Sequence, residues 1–336
     1  MAEIVERPKP ISEAAKDIAR RFFRHENAAL VVVLIALIGG MSIVTKGLTV
    51  SRANMGNTLL QSSTRGVAVV GQAFVILIAG IDLSVAGMGL VASIVGASMM
   101  TEAPYLNIVG YPVSMYLAIP VMLLVGAGFG ALNGTLVSRI GMPALIVTLG
   151  MWQICKGVAF RIGGGYTVTH LPDSLLVLGQ GKVAGVPVPS VIFIAVAVVA
   201  YIILSHTTFG RSIYAVGGNP ASAWLSGIRV KNIQLMVFII AGFLAGLAGV
   251  LTTARSTTAS MRTLMGLELD TIAAVCIGGV SLMGGRGTLI GVVLGIMIIG
   301  IINNGLSILG AGPFMQGIVR GAIIITAVAV DYVRRR

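Results

Sequence analysis

One carboxylate is unusual because it lies within an apolar part of the chain. Asp82 belongs to the short segment Gly80-Ile81-Asp82-Leu83-Ser84, which separates two long apolar runs. A charged group inside a bilayer is costly unless it is paired, so it marks either a solute pathway or a structural contact. We interpret Asp82 as capping the helix that follows by accepting from its free N–H groups. Direct contact with a solute is the alternative, and Glu268 and Asp270 are interpreted in the same way.

Uncharged polar side chains within the apolar runs are few. They could line an aqueous path that exchanges hydrogen bonds with a hydroxylated solute, or they could hold helices together. No series of carboxylates and histidines crosses the apolar runs, which argues against a proton-coupled carrier. The candidates for the path, together with Asp82, are Gln72, Asn133, Thr148, Asn303 and Asn304.

Motifs for catalysis are missing from the sequence. It contains no G-x-x-x-x-G-K-[ST] loop for ATP, no G-x-S-x-G segment and no H-E-x-x-H segment. The three histidines, His25, His170 and His206, are far apart and predict no metal site. We therefore expect a chain that is not an enzyme and binds no cofactor of its own.

The composition predicts a membrane protein. The chain has 336 residues, of which 56% are hydrophobic and 10% charged, and its mean hydropathy is +0.99. Soluble domains carry about 25% charged residues, so this chain cannot cover a globule with a solvated surface. The net charge of +12 arises from Lys and Arg at the chain ends and in short loops, without a basic patch interleaved with aromatic residues. This pattern is typical of membrane topology and argues against a nucleic-acid partner.

Apolar stretches long enough to cross a bilayer recur along the chain. We predict an all-α, polytopic membrane helix bundle over residues 28–332, preceded by a basic amphipathic segment (1–27) and followed by a basic tail (333–336). An even number of spans and the basic ends place both termini in the cytoplasm. Five basic residues assigned to the outer side, Arg65 among them, weaken this bias without reversing it. The ten predicted spans are 28–45, 55–80, 82–101, 114–137, 142–161, 188–205, 232–254, 266–283, 288–309 and 314–331.

A faint internal repeat is also visible. Asn133-Gly134 followed by Pro143 is echoed by Asn304-Gly305 followed by Pro313. Gly80-Ile81-Asp82-Leu83 is echoed by Gly266-Leu267-Glu268-Leu269. Two units of five spans each must be inverted relative to one another, an arrangement common in transporters.

The most informative polar segment is the predicted cytoplasmic loop 207–231. Gly217, Gly218 and Asn219 predict a sharp turn before a short helix from Ala221 to Leu225. Pro220 suits the first helical position, and Gly227 suits a C-terminal cap. A short exposed helix between two spans could dock on a cytoplasmic partner, although a simple connecting loop is the alternative.

At this loop the chain resembles the permease subunits of bacterial ABC sugar importers of the ribose, xylose and galactose type. The resemblance extends from about residue 30 to 332, and its motifs occur in order along the chain. Ala86 departs from the glycine that is common after the Asp-Leu-Ser-Val run. The matching segments are Gly80–Val85, Asn133–Val137, Pro143–Gly150, Gly217–Ala221 with Leu225–Ile228, Gly278–Leu282 with Gly284–Thr288, and Asn303–Leu306.

The resemblance implies an inner-membrane importer that has two permease copies or paralogues, two cytoplasmic ATPase subunits and a periplasmic solute-binding protein. ATP and Mg²⁺ would be bound by the ATPase, and segment 217–228 would couple the permease to it. The coupling residues would be Gly217, Gly218, Asn219, Pro220, Ala221, Leu225 and Gly227.

Three other interpretations remain open at this stage. The related branched-chain amino-acid permeases share the architecture but lack this combination of motifs. An ion-coupled secondary transporter acting alone would need no docking helix. An intramembrane enzyme would need a nucleophile–base pair or a metal constellation, neither of which is evident in the sequence.

Overall fold

The fold is a bundle of helices, seen in a computed structural model that describes residues 27–333. The predicted amphipathic segment 1–27 and the basic tail 333–336 therefore lie almost entirely outside the described residues. The helices are α1 (Ala28–Val44), α2 (Arg52–Leu77), α3 (Val85–Met100), α4 (Met115–Thr135), α5 (Ala144–Gly163), α6 (Leu176–Gln180), α7 (Val188–His206), α8 (Thr208–Gly218), α9 (Pro220–Leu225), α10 (Val230–Ser256), α11 (Leu267–Ile277), α12 (Leu289–Ile308) and α13 (Pro313–Val333).

Each of the ten predicted spans contains one of these helices. Within residues 27–333, five helical segments are long and apolar enough to cross a membrane by length and composition. They are Met115–Ile140, Ala144–Gly163, Val188–His206, Val230–Ser256 and Leu289–Ile308. The all-α bundle is confirmed, whereas the number of ten crossings stays a prediction.

Close helix packing in the centre of the bundle depends on glycine. Helix α10 packs against α2, α3 and α4. A side chain at Gly130 would collide with the backbone of Phe238 and Gly242, and one at Gly242 would collide with Gly126 and Gly130. Small residues let helices approach this closely where lipid supplies no hydrophobic drive between them. Glycine at positions 130 and 242 therefore permits the close crossing of α4 and α10.

Two long helices occupy similar positions in the packing. Helix α2 ends at a break over 78–84 that leads into the short α3, and α10 ends at a break over 257–266 that leads into the short α11. Helix α10 contacts α3 and α4, while α2 contacts α11 and α12. Each long helix thus packs against the short helix that follows the other one. An internal repeat would produce this reciprocal packing, and the repeat itself stays a prediction.

The two ends of the bundle are built from different connections. One end carries α6 and a small antiparallel hairpin, with strands β1 (Lys182–Val183) and β2 (Val186–Pro187). An isolated bridge between Val168 and Ala259 joins two connections at this end. The opposite end carries α8, α9 and segment 278–288, and both α8 and segment 278–288 meet the last turn of α2.

Candidate functional site

The short helix α9 is defined by a cap at each end. The Asn219 side chain accepts from the backbone N–H of Ser222 over 3.0 Å, and Pro220 occupies the first helical position. At the other end Gly227, with φ +83°, donates to Trp224, and the N–H of Ile228 donates to Ala223. This pair of bonds is the Schellman motif, which favours glycine at the left-handed position. The predicted positions of Pro220 at the start of the helix and of Gly227 at its C-terminal cap are confirmed.

The expected turn at Gly217 and Gly218 is wrong. Both glycines lie in the last turn of α8, and the chain changes direction at Asn219, where φ is −159°. Gly217 is required for another reason, because a side chain there would collide with the carbonyl of Leu77 and the N–H of Gly285. Helix α8 thereby contacts α2 and segment 278–288 directly. The sequence motif reflects backbone packing at Gly217 rather than turn geometry.

A basic and apolar surface surrounds α9, and we call it the docking surface. Trp224 is 69% exposed and Leu225 is 78% exposed. A groove of about 870 Å³ runs beside them between α9 and residues 137–142. Three exposed basic side chains line it, and Arg139 donates to Asn232 over 2.8 Å. The docking surface comprises Trp224, Leu225, Arg139, Arg229 and Lys231.

A second group of candidate residues surrounds the break over 78–84, where backbone groups lack helical partners. The Thr148 hydroxyl donates to the carbonyl of Ile81 and accepts from the N–H of Leu83, both over 3.1 Å. With its amide oriented to satisfy both groups, Gln72 donates to the Asp82 carbonyl over 3.1 Å and accepts from the Asp82 N–H over 3.3 Å. Buried backbone groups need such partners in a membrane interior.

The Asp82 carboxylate makes local contacts at the start of α3. It accepts from the N–H of Ser84 over 2.8 Å and from the Ser84 hydroxyl over 2.6 Å. Asn133 in α4 donates to that same hydroxyl over 2.7 Å. Gln72, Asp82, Asn133 and Thr148 are all fully buried. These contacts give all four residues a structural role, because they hold the break against α4 and α5. The cap predicted for Asp82 is wrong in detail, because its carboxylate bonds Ser84 ahead of α3 and not the free N–H groups of the helix.

The two remaining candidates lie elsewhere. Asn304 and Asn54 exchange two amide hydrogen bonds of 2.8 Å, which join α12 to the start of α2. Asn303 is half-buried beside it. The structure therefore places four predicted residues in one cluster and leaves Asn303 and Asn304 outside it.

A third polar cluster is absent from the sequence predictions. Asp270 in α11 lies 2.9 Å from Arg65 in α2 and 3.0 Å from Arg320 in α13, and its side chain is 2% exposed. Asp270 lies in the first turn of α11, as expected for a cap, but its carboxylate contacts two guanidinium groups instead. Arg65 is also not in an outer loop, because it lies near the middle of α2. The one sequence feature that indicates this cluster is the polar composition of residues 52–65.

Comparison with known proteins identifies the family. Residues 54–328 match the family described as "Branched-chain amino acid transport system / permease component". The chain belongs to this permease family. No solved structure matches it.

Several curated relatives of this permease are named as sugar transport proteins. The ribose import permease protein RbsC of Haemophilus influenzae is 39% identical over 305 residues, which cover 89% of this chain and 91% of the relative. The D-allose transport system permease protein AlsC of Escherichia coli is 38% identical over 303 residues, covering 90% and 89%. The L-arabinose ABC transporter permease protein AraH of Azospirillum brasilense is 33% identical over 308 residues, covering 92% and 88%. The predicted resemblance to sugar permeases is confirmed.

Proposed function

We propose that this chain is the membrane-spanning permease subunit of an ATP-driven importer for a sugar or sugar-like solute. The observation that supports it most directly is the similarity to ribose, allose and arabinose permeases along nearly the whole chain. The helical bundle, with five segments suited to crossing a membrane, agrees with that role. The site contacts described above support positioning and docking rather than bond chemistry.

The proposed partner at the docking surface is a cytoplasmic ATPase that binds ATP and Mg²⁺. Trp224 and Leu225 supply an exposed apolar anchor on a helix that is capped at both ends. The basic side chains around it favour a partner surface rimmed with acidic groups, since the sequence has no Asp or Glu between Asp173 and Glu268. Tryptophan and arginine are among the residue types that most often dominate binding energy at protein interfaces.

The remaining partners complete the importer. A periplasmic binding protein would deliver the solute, and a second permease copy or paralogue would form the other half of the path. In this proposal the docking surface faces the cytoplasm, and an even number of crossings would keep both termini on that same side of the inner membrane. Contact of α8 with the end of α2 gives ATPase motion a direct route into the bundle.

The test is purification of the complex from native membranes in mild detergent, with identification of the bound proteins. We expect a P-loop ATPase to co-purify with the native chain and to be lost with Trp224→Ala. The matched control is Tyr166→Ala, which removes another exposed aromatic side chain beyond the C-terminal end of α5. Recovery of the chain without an ATPase, with uptake that persists after ATP depletion, would contradict the proposal and indicate an ion-coupled carrier.

A further inference from the structure

A line of side chains on α2 is exposed although it runs into the bundle. These side chains are spaced four residues apart and so lie along one face of the helix, at Ala53, Asn57, Gln61 and Arg65. Ala53, Asn57 and Gln61 are exposed, and Arg65 is 37% exposed. The next position on this face, Val69, is fully buried. We call Asn57, Gln61 and Arg65 the polar stripe; it is accessible at the Arg52 end of α2 and closed beyond Arg65.

The other faces of α2 at this level are occupied by neighbouring helices. Ser62 is buried opposite Gly300 of α12, where a side chain on that glycine would collide with its hydroxyl. Ser63 donates to Ser190 at the start of α7 over 3.0 Å. The polar stripe is therefore the face of α2 that the bundle leaves uncovered.

Lipid does not suit this face. Amide side chains and a guanidinium group in hydrocarbon lose their hydrogen bonds with water, and the cost is several kcal/mol for such a set. The side chains of Asn57 and Gln61 have no hydrogen bond to another residue within the part of the chain that the structure describes. The polar stripe falls within the predicted span 55–80, and polar groups at that depth normally face the interior of a bundle or a water-filled cavity.

The inner end of the stripe is held in place by Arg65, Asp270 and Arg320, which we call the charge cluster. Arg65 pairs with buried Asp270, and Asp270 also contacts Arg320. Two guanidinium groups sharing one carboxylate leave Arg65 with unused donors. Amide and guanidinium groups together offer both donors and acceptors to a hydroxylated, uncharged solute.

The stripe lies far from the docking surface. Leu77, at the other end of α2, accepts from Gly285 beside α8. Arg65 precedes Leu77 by twelve residues, which is about 18 Å along a helix axis. The accessible end of the stripe therefore opens on the side of the bundle opposite to α9.

We propose that the polar stripe lines a water-filled entrance on the side remote from the docking surface, through which the hydroxylated solute enters. Arg65, fixed by Asp270, is its innermost polar contact, and the path is closed at Val69. This inference rests on the proposed import function and names the part of the chain that the solute meets first.

Thiol labelling tests the location of the stripe independently of transport. Asn57→Cys and Gln61→Cys are placed in the full importer and exposed to a charged, membrane-impermeant maleimide on each side of the membrane. The unchanged chain, with buried Cys155 and half-buried Cys276, gives the background. Val69→Cys is the buried control, and Ile43→Cys on α1 is the exposed apolar control.

We expect both stripe variants to react about tenfold faster than the two controls, because thiolate reactivity requires access to water. Reaction should occur from the side opposite to the ATPase, and an excess of whichever of ribose, D-allose and L-arabinose the importer takes up should slow it. Labelling no faster than at Ile43→Cys would overturn the proposal. Labelling of the isolated chain but not of the assembled importer would also overturn it, and would instead assign the stripe to the interface between permease copies.

A transport measurement separates the two proposals. Gln61→Ala should lower the initial rate of ATP-driven uptake several-fold while ATPase binding at the docking surface is unchanged. Fast labelling of the stripe in a chain whose uptake does not depend on ATP would leave the entrance in place and refute the import function.

Discussion

The backbone N–H of Gly285 donates to the carbonyl of Leu77 over 2.9 Å, at a point where Gly217 of α8 also touches both groups. Three segments that are distant in sequence thus meet through their backbones at this point, and the Tyr214 hydroxyl adds a bond from α8 to the Gly287 carbonyl. The contact joins the end of α2 to the helix that precedes α9. Helix α9 is therefore connected through α8 to α2, which carries the polar stripe at its other end.

Gly217→Ala should disrupt this junction. The added methyl group would collide with the Leu77 carbonyl and the Gly285 N–H, and overpacking of this kind costs about 1–3 kcal/mol. We expect a lower thermal unfolding temperature in detergent and weaker coupling of ATP hydrolysis to uptake. Gly218→Ala is the matched control, because it lies in the same helical turn with nothing within 4 Å of the added atom. Equal stability of the two variants would contradict the close contact at Gly217.

Thr148→Val tests the polar cluster around the break over 78–84. The variant keeps the shape of the side chain but leaves the Ile81 carbonyl and the Leu83 N–H without their hydroxyl partner. Each buried group left unpaired costs about 1–3 kcal/mol, so the free energy of unfolding should fall clearly. Thr135→Val is the control, since that exposed hydroxyl donates only to the carbonyl of Ala131 one turn earlier. A similar small effect of both variants would show that Thr148 does not hold the break.

The extent of sequence-based prediction differs between local and long-range features. Helix positions and the caps at Pro220 and Gly227 could be predicted because hydropathy and capping chemistry act over a few neighbouring residues. The grouping of Gln72, Asp82, Asn133 and Thr148 could not, because it depends on how α2, α4 and α5 pack. Gly217 and Gly218 predict a turn from the sequence, but close packing favours glycine as strongly as turn formation does, and the sequence alone does not distinguish the two.

The charge cluster was missed for a related reason. Arg65 and Asp270 are separated by 205 residues and approach only when α11 packs on α2. From its local sequence alone, Arg65 is predicted to be a basic residue on the outer side, and Asp270 is predicted to cap a helix. The polar run from Arg52 to Arg65 was the available signal, and it was masked by the apolar second half of the same helix.

Asp270→Asn should destabilise the bundle where α2, α11 and α13 meet. Removing the carboxylate leaves Arg65 and Arg320 without their shared counter-charge, and breaking a buried pair in this way costs about 3–5 kcal/mol. The value applies to the largely buried Arg320 contact, since solvent screening weakens the part due to half-exposed Arg65. Thermal unfolding in detergent measures the loss. Arg262→Gln, which changes an exposed basic residue in the connection before α11, should have little effect. A loss no greater than that of Arg262→Gln would mean that the cluster does not stabilise the fold.

Gly227 offers a graded test of the docking helix. Its φ of +83° is unfavourable for side chains, and a β-branched residue is the least suited, although nothing within 4 Å would meet the added atom. Gly227→Val should therefore unwind the end of α9 and displace Trp224, whereas Gly227→Asn should have a smaller effect because asparagine tolerates this region. We expect ATPase binding to fall in the order Gly, Asn, Val while the unfolding temperature of the permease changes little, since Ala223 is the one residue of α9 in the buried core and Gly227 lies beyond the end of the helix. Binding that is unaffected by valine would show that the ATPase does not read the shape of α9, and the docking surface would have to be assigned to another part of the chain.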